Sequence, residues 1–330
     1  MTSPQCQRAD DVYLVIPMIH LVVETLSQYL FVILASPLFA GIFERLKAII
    51  ESRHGPSIFQ PYYDIFKLLK KETLISFKST RLFIVAPYIA FGIYSLIALI
   101  IPVFMSRPII FTASGDFFAG AILFSVAAFV KIAGTMDSGS NFSSLGISRI
   151  LSFNFFSEGT LITVFFAVAL ITGTNNPYVT NNYLISHPLS NLSLVHIFAI
   201  FAFFMIFIYE SGRIPTQSEG LQEMGMIDSG IDYEYSGKLL AVNKWSSYIK
   251  QYLLGSVLLN VFLIPWGITN TFPDFLLNIP VMFLKWLFLI IIVLIIDTTM
   301  AKLRLFKVVD FLAVAFIFSI LFLILTEVIG

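Results

Sequence analysis

Cysteine is almost missing from this sequence: one thiol, Cys6, sits in a polar N-terminal stretch of a 330-residue chain. That excludes a disulfide framework, a CxxC redox pair and a four-thiolate iron–sulfur cluster assembled from this chain. Histidine is scarce too. His20, His54, His187 and His196 show neither HxxxH nor HExxH spacing, so no haem, zinc or other metal site and no cofactor is expected within the chain. Charge is the third shortage, at 12% of residues, where a soluble domain carries about 25%. A basic n-region is also lacking: Asp10 and Asp11 precede the first apolar stretch, so no cleaved signal peptide is expected. No nucleic-acid partner is expected either.

What is abundant is apolar surface, with 58% hydrophobic residues and 35 Phe. Apolar runs fall at 26–46, 82–104, 117–135, 157–174, 192–210, 252–270, 279–297 and 308–328. Each approaches the roughly 20 residues that a helix needs to cross a hydrocarbon core of about 30 Å. The expected fold class is therefore all-α: a polytopic integral membrane protein of about eight transmembrane helices, forming one membrane domain over 1–330. Residues 12–23 are also apolar but short, and carry Pro17. The first 25 residues are thus expected to lead into the first span or to lie at the interface.

Lysine and arginine set the expected orientation, because cytoplasmic loops retain positive charge. Sixteen of the twenty basic residues fall in alternate loops and the adjoining helix ends, while only Arg8 and Arg107 fall on the opposite side. Both termini are expected to face outward across the cell membrane. The loops at 45–81 (basic) and 211–251 (acidic) are long and dense in charge, so function is expected on the cytoplasmic face. No internal repeat is evident, which argues against an inverted-repeat transporter.

An ionisable side chain within a span costs at least about 2.5–3.5 kcal/mol, so each one asks for a role. Glu44, Lys131, Glu158, Glu210, Asp297 and Glu327 stand within or at the ends of the runs. Glu158 opens the fourth run and Glu210 closes the fifth, and both can line a hydrated cleft with Lys131 and exchange protons there. Snorkelling at helix ends is the competing reading, evenly weighted for Glu44, Asp297 and Glu327. Lys285, beside Trp286, reads as an interfacial anchor. The 211–238 segment places Glu219, Glu223, Asp228, Asp232 and Glu234 between Arg213 and Lys238. That is five acids in sixteen residues, without EF-hand spacing. A funnel of carboxylates leading protons towards Glu210 and Glu158 is expected.

Three segments resemble the membrane-subunit family shared by respiratory complex I, where it forms part of the quinone chamber, and the energy-converting membrane-bound NiFe hydrogenases. FERLKAIIESRHGPSIFQPYYDIFKLLKKE (43–72) is similar to the family's Glu-Arg, Arg-x-Gly-Pro, Gln-Pro and basic-helix signature. SSLGISRILSFNFFSEGTL (143–161) resembles its Ser-x-Leu-Gly, Arg and Ser-x-Glu pattern, which lays Glu158 on the family's intramembrane glutamate. ESGRIPTQSEGLQEMGMIDSGIDYEYSG (210–237) resembles its Arg-x-Pro, acidic and Glu-Tyr-Ser-Gly loop. Gly55-Pro56 runs directly to Gln60-Pro61, without the insertion of the complex I branch, and this resembles the hydrogenase branch. The third loop departs from that branch, with Thr216, Gln217 and Ser218 in place of Asp-Asn-Pro and Gln222 in place of a histidine.

The resemblance implies a membrane anchor and ion-path subunit of a group 4 membrane-bound NiFe hydrogenase, which couples ferredoxin oxidation and H2 formation to H+ or Na+ translocation. Iron–sulfur clusters and a NiFe centre would then belong to partners: a small iron–sulfur subunit and a large NiFe-type subunit on the cytoplasmic face. Antiporter-like subunits would lie beside the chain in the bilayer. Arg45, Arg53, Lys67, Lys70, Lys71 and Arg213 would dock the hydrophilic arm. Two alternatives stay open: a quinone-chamber subunit of a complex I type dehydrogenase, with a long apolar chamber between the first and last spans, and an autonomous ion transporter.

Overall fold

The computed structural model describes residues 4–103, 116–186, 194–212, 229–267, 277–299 and 307–329. The regular elements among them are all helical, because a helix satisfies its own backbone where no water can. In chain order they are α1 (Pro4–Ile50), α2 (Gln60–Lys70), α3 (Arg81–Ile100), α4 (Phe117–Met136), α5 (Asn141–Thr172), α6 (Pro177–Ser186), α7 (Leu194–Glu210), α8 (Ser229–Asp232), α9 (Gly237–Val257), α10 (Asn278–Thr299) and α11 (Lys307–Ile329). A π-turn, Leu258–Leu263, continues α9. Six helices, α1, α3, α4, α5, α10 and α11, are long and apolar enough to cross a membrane. The other two apolar runs fall on α7, of 17 residues, and on the far half of α9 with its π-turn.

Helix boundaries depart from the apolar runs where polar residues face other helices. α5 starts at Asn141, well before the run at 157, and α9 at Gly237, well before the run at 252. The acidic loop read over 211–251 is therefore helical from Gly237, and Lys238, Lys244 and Lys250 stand on a helix. Buried Asn243, Ser246 and Ser256 lower the hydropathy of that helix without exposing it to lipid. The basic loop at 45–81 likewise contains the end of α1 and the whole of α2. α1 is unbroken through the segment expected to lead into the first span.

α9 packs against α1, α2, α3, α7 and α10, and so lies inside the bundle. Its Tyr252 stacks on Trp286 of α10 (centroids 4.9 Å apart) and on Phe39 of α1 (5.3 Å). The indole lies against Gly255, where a Cβ would come within 2.3 Å of the ring, so any larger residue there forces α9 and α10 apart. Trp286 also donates from Nε1 to Ser256 Oγ at 3.3 Å. Lys285 is consequently not an interfacial anchor: it is 5% exposed and donates to Asn260 Oδ1 (3.2 Å) and Ile264 O (2.7 Å). The reason is local, because the π-turn and the helix end leave acceptors at that height that a long cation can reach.

At one end of the bundle, called here the charged end, the three segments that carry the resemblance meet. Ser236 Oγ accepts from Leu74 N (2.7 Å) and donates to Leu74 O (2.9 Å). Gly237 has φ +51° and its Cβ position lies 2.4 Å from Glu72 O, so both conformation and space call for glycine. Gly146 of α5 approaches Gly230 Cα within 3.0 Å of its Cβ position. Asp297 is not snorkelling to headgroups; it pairs with Lys47 at 2.8 Å, with side-chain exposures of 3% and 17%. Lys47→Met leaves that carboxylate buried without its ammonium. It should cost on the order of 3 kcal/mol of stability, read as earlier loss of the folded form on heating in detergent, and Lys47→Met with Asp297→Leu should recover most of it.

Candidate functional site

Glu210 closes α7 at the charged end and accepts two hydrogen bonds, from Ser157 Oγ of α5 and from Lys250 Nζ of α9. The Lys250–Glu210 pair has side-chain exposures of 18% and 11%, so three helices are tied through one largely desolvated carboxylate. Removing either charge would strand the other, which is costly in a dry setting. Glu158 stands one residue beyond Ser157, half-buried, and accepts from Asn154 Nδ2 at 3.3 Å. Asn154 in turn accepts from Tyr209 at 3.2 Å. Glu158, Glu210 and Lys250 border one narrow crevice, with Phe124 and Ala128 of α4 and Leu254 of α9 on its walls.

On its other side Glu210 lines a cavity of about 320 Å³, polar and roomy enough for several waters. Lys131 reaches it from α4, donating to Ser247 Oγ (2.8 Å) and Asn243 O (3.3 Å) and lying 5.8 Å from the Tyr94 ring. Asp232, at the end of α8, lines the same cavity and accepts from Asn243 Nδ2. Desolvation pushes the Asp232 carboxyl above the usual aspartate range, opposed by the Lys131 and Lys244 ammonium groups and the Asn243 amide. The order of ionisable groups is therefore Asp232 and Lys131, then Lys250 and Glu210, then Glu158.

The expected site residues thus separate. Asp232, Lys131 and Glu210 border the cavity, and Glu210 with Lys250 also borders the adjoining crevice that holds Glu158. Glu44 on α1 and Glu234 beyond α8 are half-buried and not among the residues lining either. Arg213, Glu219, Glu223 and Asp228 lie outside the described residues. Of the residues expected to dock a partner, Arg45 donates to Gly55 O at 2.7 Å, holding the Gly-Pro turn. Arg53 is exposed, with Glu51 at 3.5 Å. Lys67, Lys70 and Lys71 are exposed on and just past α2, beside exposed Phe59, Tyr63, Phe66, Leu74 and Phe77.

Residues not singled out in the sequence complete the site: Lys250, Ser157, Asn154, Tyr209, Asn243 and Ser247. A signal existed for part of this set, since Asn243, Ser247 and Lys250 recur at i, i+4 and i+7 and so share one face of a helix. A carboxyl band assigned to Asp232 by its loss in Asp232→Asn should persist in infrared spectra above the ordinary aspartate value of roughly 3.9. Lys131→Met should move its midpoint further up, since it removes the cation that most favours the ionised form; a downward move would contradict that reading.

Comparison with known proteins identifies the family of the chain. The family described as NADH dehydrogenase matches residues 23–327. Hydrogenase-4 component C of Escherichia coli (strain K12) is 30% identical over 290 residues, 86% of this chain and 89% of its own length. Formate hydrogenlyase subunit 4 of the same strain is 30% identical over 284 residues, 85% and 90%. A NADH-quinone oxidoreductase subunit of Wolbachia pipientis wMel is 29% identical over 268 residues, 73% and 76%. A chain of the membrane-bound sulfane sulfur reductase, an archaeal respiratory membrane complex, shares the fold with a TM-score of 0.76 at 18% identity, over 93% of this chain and 99% of that one. By their names these relatives are components or subunits of larger assemblies. With its family signature spanning nearly the whole chain and its helices laid out as in a respiratory membrane complex, it belongs to the NADH dehydrogenase family.

Proposed function

We propose that this chain is the membrane anchor and ion-path subunit of a group 4 membrane-bound NiFe hydrogenase, in which ferredoxin oxidation and H2 formation drive H+ or Na+ translocation. The observation that carries the ion path is Glu210, held between Ser157 and Lys250, with the cavity on one side and Glu158 on the other. A proton entering from the cytoplasmic face would meet Asp232 and Lys131 first and Glu158 last. Redox chemistry on the docked arm would act on the neighbouring 211–238 segment and so on these groups. Moving one charge against 100 mV takes about 2.3 kcal/mol, and a one-unit pKa change supplies about 1.4 kcal/mol, so modest electrostatic changes are of useful size. Beyond Glu158 the route would run laterally to antiporter-like subunits.

The similarity to hydrogenase-4 component C and formate hydrogenlyase subunit 4 supports the hydrogenase reading. So does the direct run from Gly55-Pro56 to Gln60-Pro61, which lacks the insertion of the complex I branch. The basic and aromatic surface around α2 is the docking face for a small iron–sulfur subunit and a large NiFe-type subunit, which would carry the clusters and the metal centre. Both chain ends would lie on the outer side of the cell membrane.

Glu158→Gln and Glu210→Gln in the assembled complex should reduce turnover-driven ion transport in vesicles at least tenfold, about 1.4 kcal/mol of lost coupling. Unchanged transport with intact assembly would refute the path. Arg53→Glu with Lys71→Glu should release the soluble subunits into the wash of isolated membranes, as salt-sensitive contacts do; retention of nickel and iron on those membranes would refute the docking face.

A further inference from the structure

The path described above leaves Lys285 unused, although it is one of the most deeply buried charged side chains described. It stands seven positions into α10 from Asn278, about 10 Å along the axis from the end remote from the charged end. Among the described residues its partners are two oxygens, Asn260 Oδ1 and Ile264 O. Asn260 is fixed in turn, donating from Nδ2 to Val103 O at 2.6 Å, so its carbonyl is turned to the lysine. These acceptors belong to the carbonyl end of α9 and its π-turn, where the helix dipole is negative. An ammonium can therefore reside there without a carboxylate.

Below that cluster the bundle is dry. Ten residues of α9 and its π-turn, about 15 Å, separate Lys250 from Asn260, and between them Leu253, Leu254, Val257, Leu258 and Leu259 are 0–1% exposed while Ser256 is held by Tyr252 O and Trp286 Nε1. The polar cavity thus stops at the level of Lys250 and Glu158. A cation crossing the apolar layer would next meet a fixed positive charge in a low dielectric, where repulsion is strong and long in range. A neutral donor would satisfy the same two oxygens. Only repulsion requires the charge, and a charge at that depth is the expensive choice.

We propose that Lys285 is the electrostatic seal of the subunit: its ammonium, seated on the carbonyl end of α9, bars cations from the outer half, so that ions admitted at the charged end leave sideways to partner subunits instead of through this chain. The seal rests on the reading of the cavity as the ions' way in. The test uses the assembled complex in liposomes without redox substrates, measuring passive proton influx under a potassium–valinomycin diffusion potential. Lys285→Gln and Lys285→Met should raise that influx about tenfold, while Lys285→Arg stays as tight as the parent. Glutamine keeps a donor for Ile264 O and so preserves the fold should methionine fail. Assembled neutral variants as tight as the parent, or an arginine variant as leaky as the neutral ones, would overturn the seal. The assay needs no turnover, so its result is separate from that of Glu158→Gln: normal pumping in that variant beside a leak in Lys285→Gln would remove the path reading and leave the seal standing.

Discussion

A helix as polar as α9 cannot face lipid, and the rest of the bundle is arranged around that constraint. Every donor and acceptor on it must be met by protein or by enclosed water, because the bilayer offers neither. α1, α2, α3, α7 and α10 surround it, and its polar side chains divide by depth. Asn243, Ser247 and Lys250 open on the cavity, while Asn260 meets Lys285 at the far end. Between them lies a closely packed, largely apolar stretch in which Ser256 is met by Tyr252 O and Trp286 Nε1, closed by Trp286 over Gly255. Two polar compartments with a dry partition follow from burying one amphipathic element whose polar character changes along its length.

The charged end owes its order to backbone contacts as much as to ions. Ser236 locks the segment after α2 to the start of α9, Gly237 admits it, and Gly146 and Gly230 bring α5 against α8. Arg45 serves the same end by holding the Gly55 carbonyl. Segments far apart in sequence are thus fixed within reach of one another beside the polar cavity, and a change in one can be felt by the acids it faces. This is the physical content of the motif resemblance: the motifs are parts of one joint.

How much of this is legible in the sequence depends on what kind of signal each part leaves. The helical class and the run positions follow from apolar length, and the nearness of Glu158 and Glu210 follows from one opening an apolar run and the other closing the next, on the same side. Lys250 is harder, because a lysine just before an apolar run looks like positive-inside charge unless Asn243 and Ser247 are read with it as one face. Lys285 misleads for the opposite reason. A lysine beside tryptophan near a span end matches the interfacial pattern, and hydropathy cannot register the π-turn whose Asn260, with Ile264 just past it, supplies the acceptors for Lys285. Arg45 likewise counts as a docking charge in sequence, yet its fork is spent on a turn ten residues on in its own chain.

The ion pair between Lys47 and Asp297 joins the first helix of the bundle to the next-to-last. During synthesis α1 enters the membrane long before α10 is made, so the aspartate arrives at a lysine already in place. An acid of this kind raises the cost of inserting its helix, and here the compensation is stored in a segment translated some 250 residues earlier. With α1 seated, the arriving carboxylate finds its counter-charge, so a defect in the first helix of the bundle would be felt as a stranded acid at the end of one of the last.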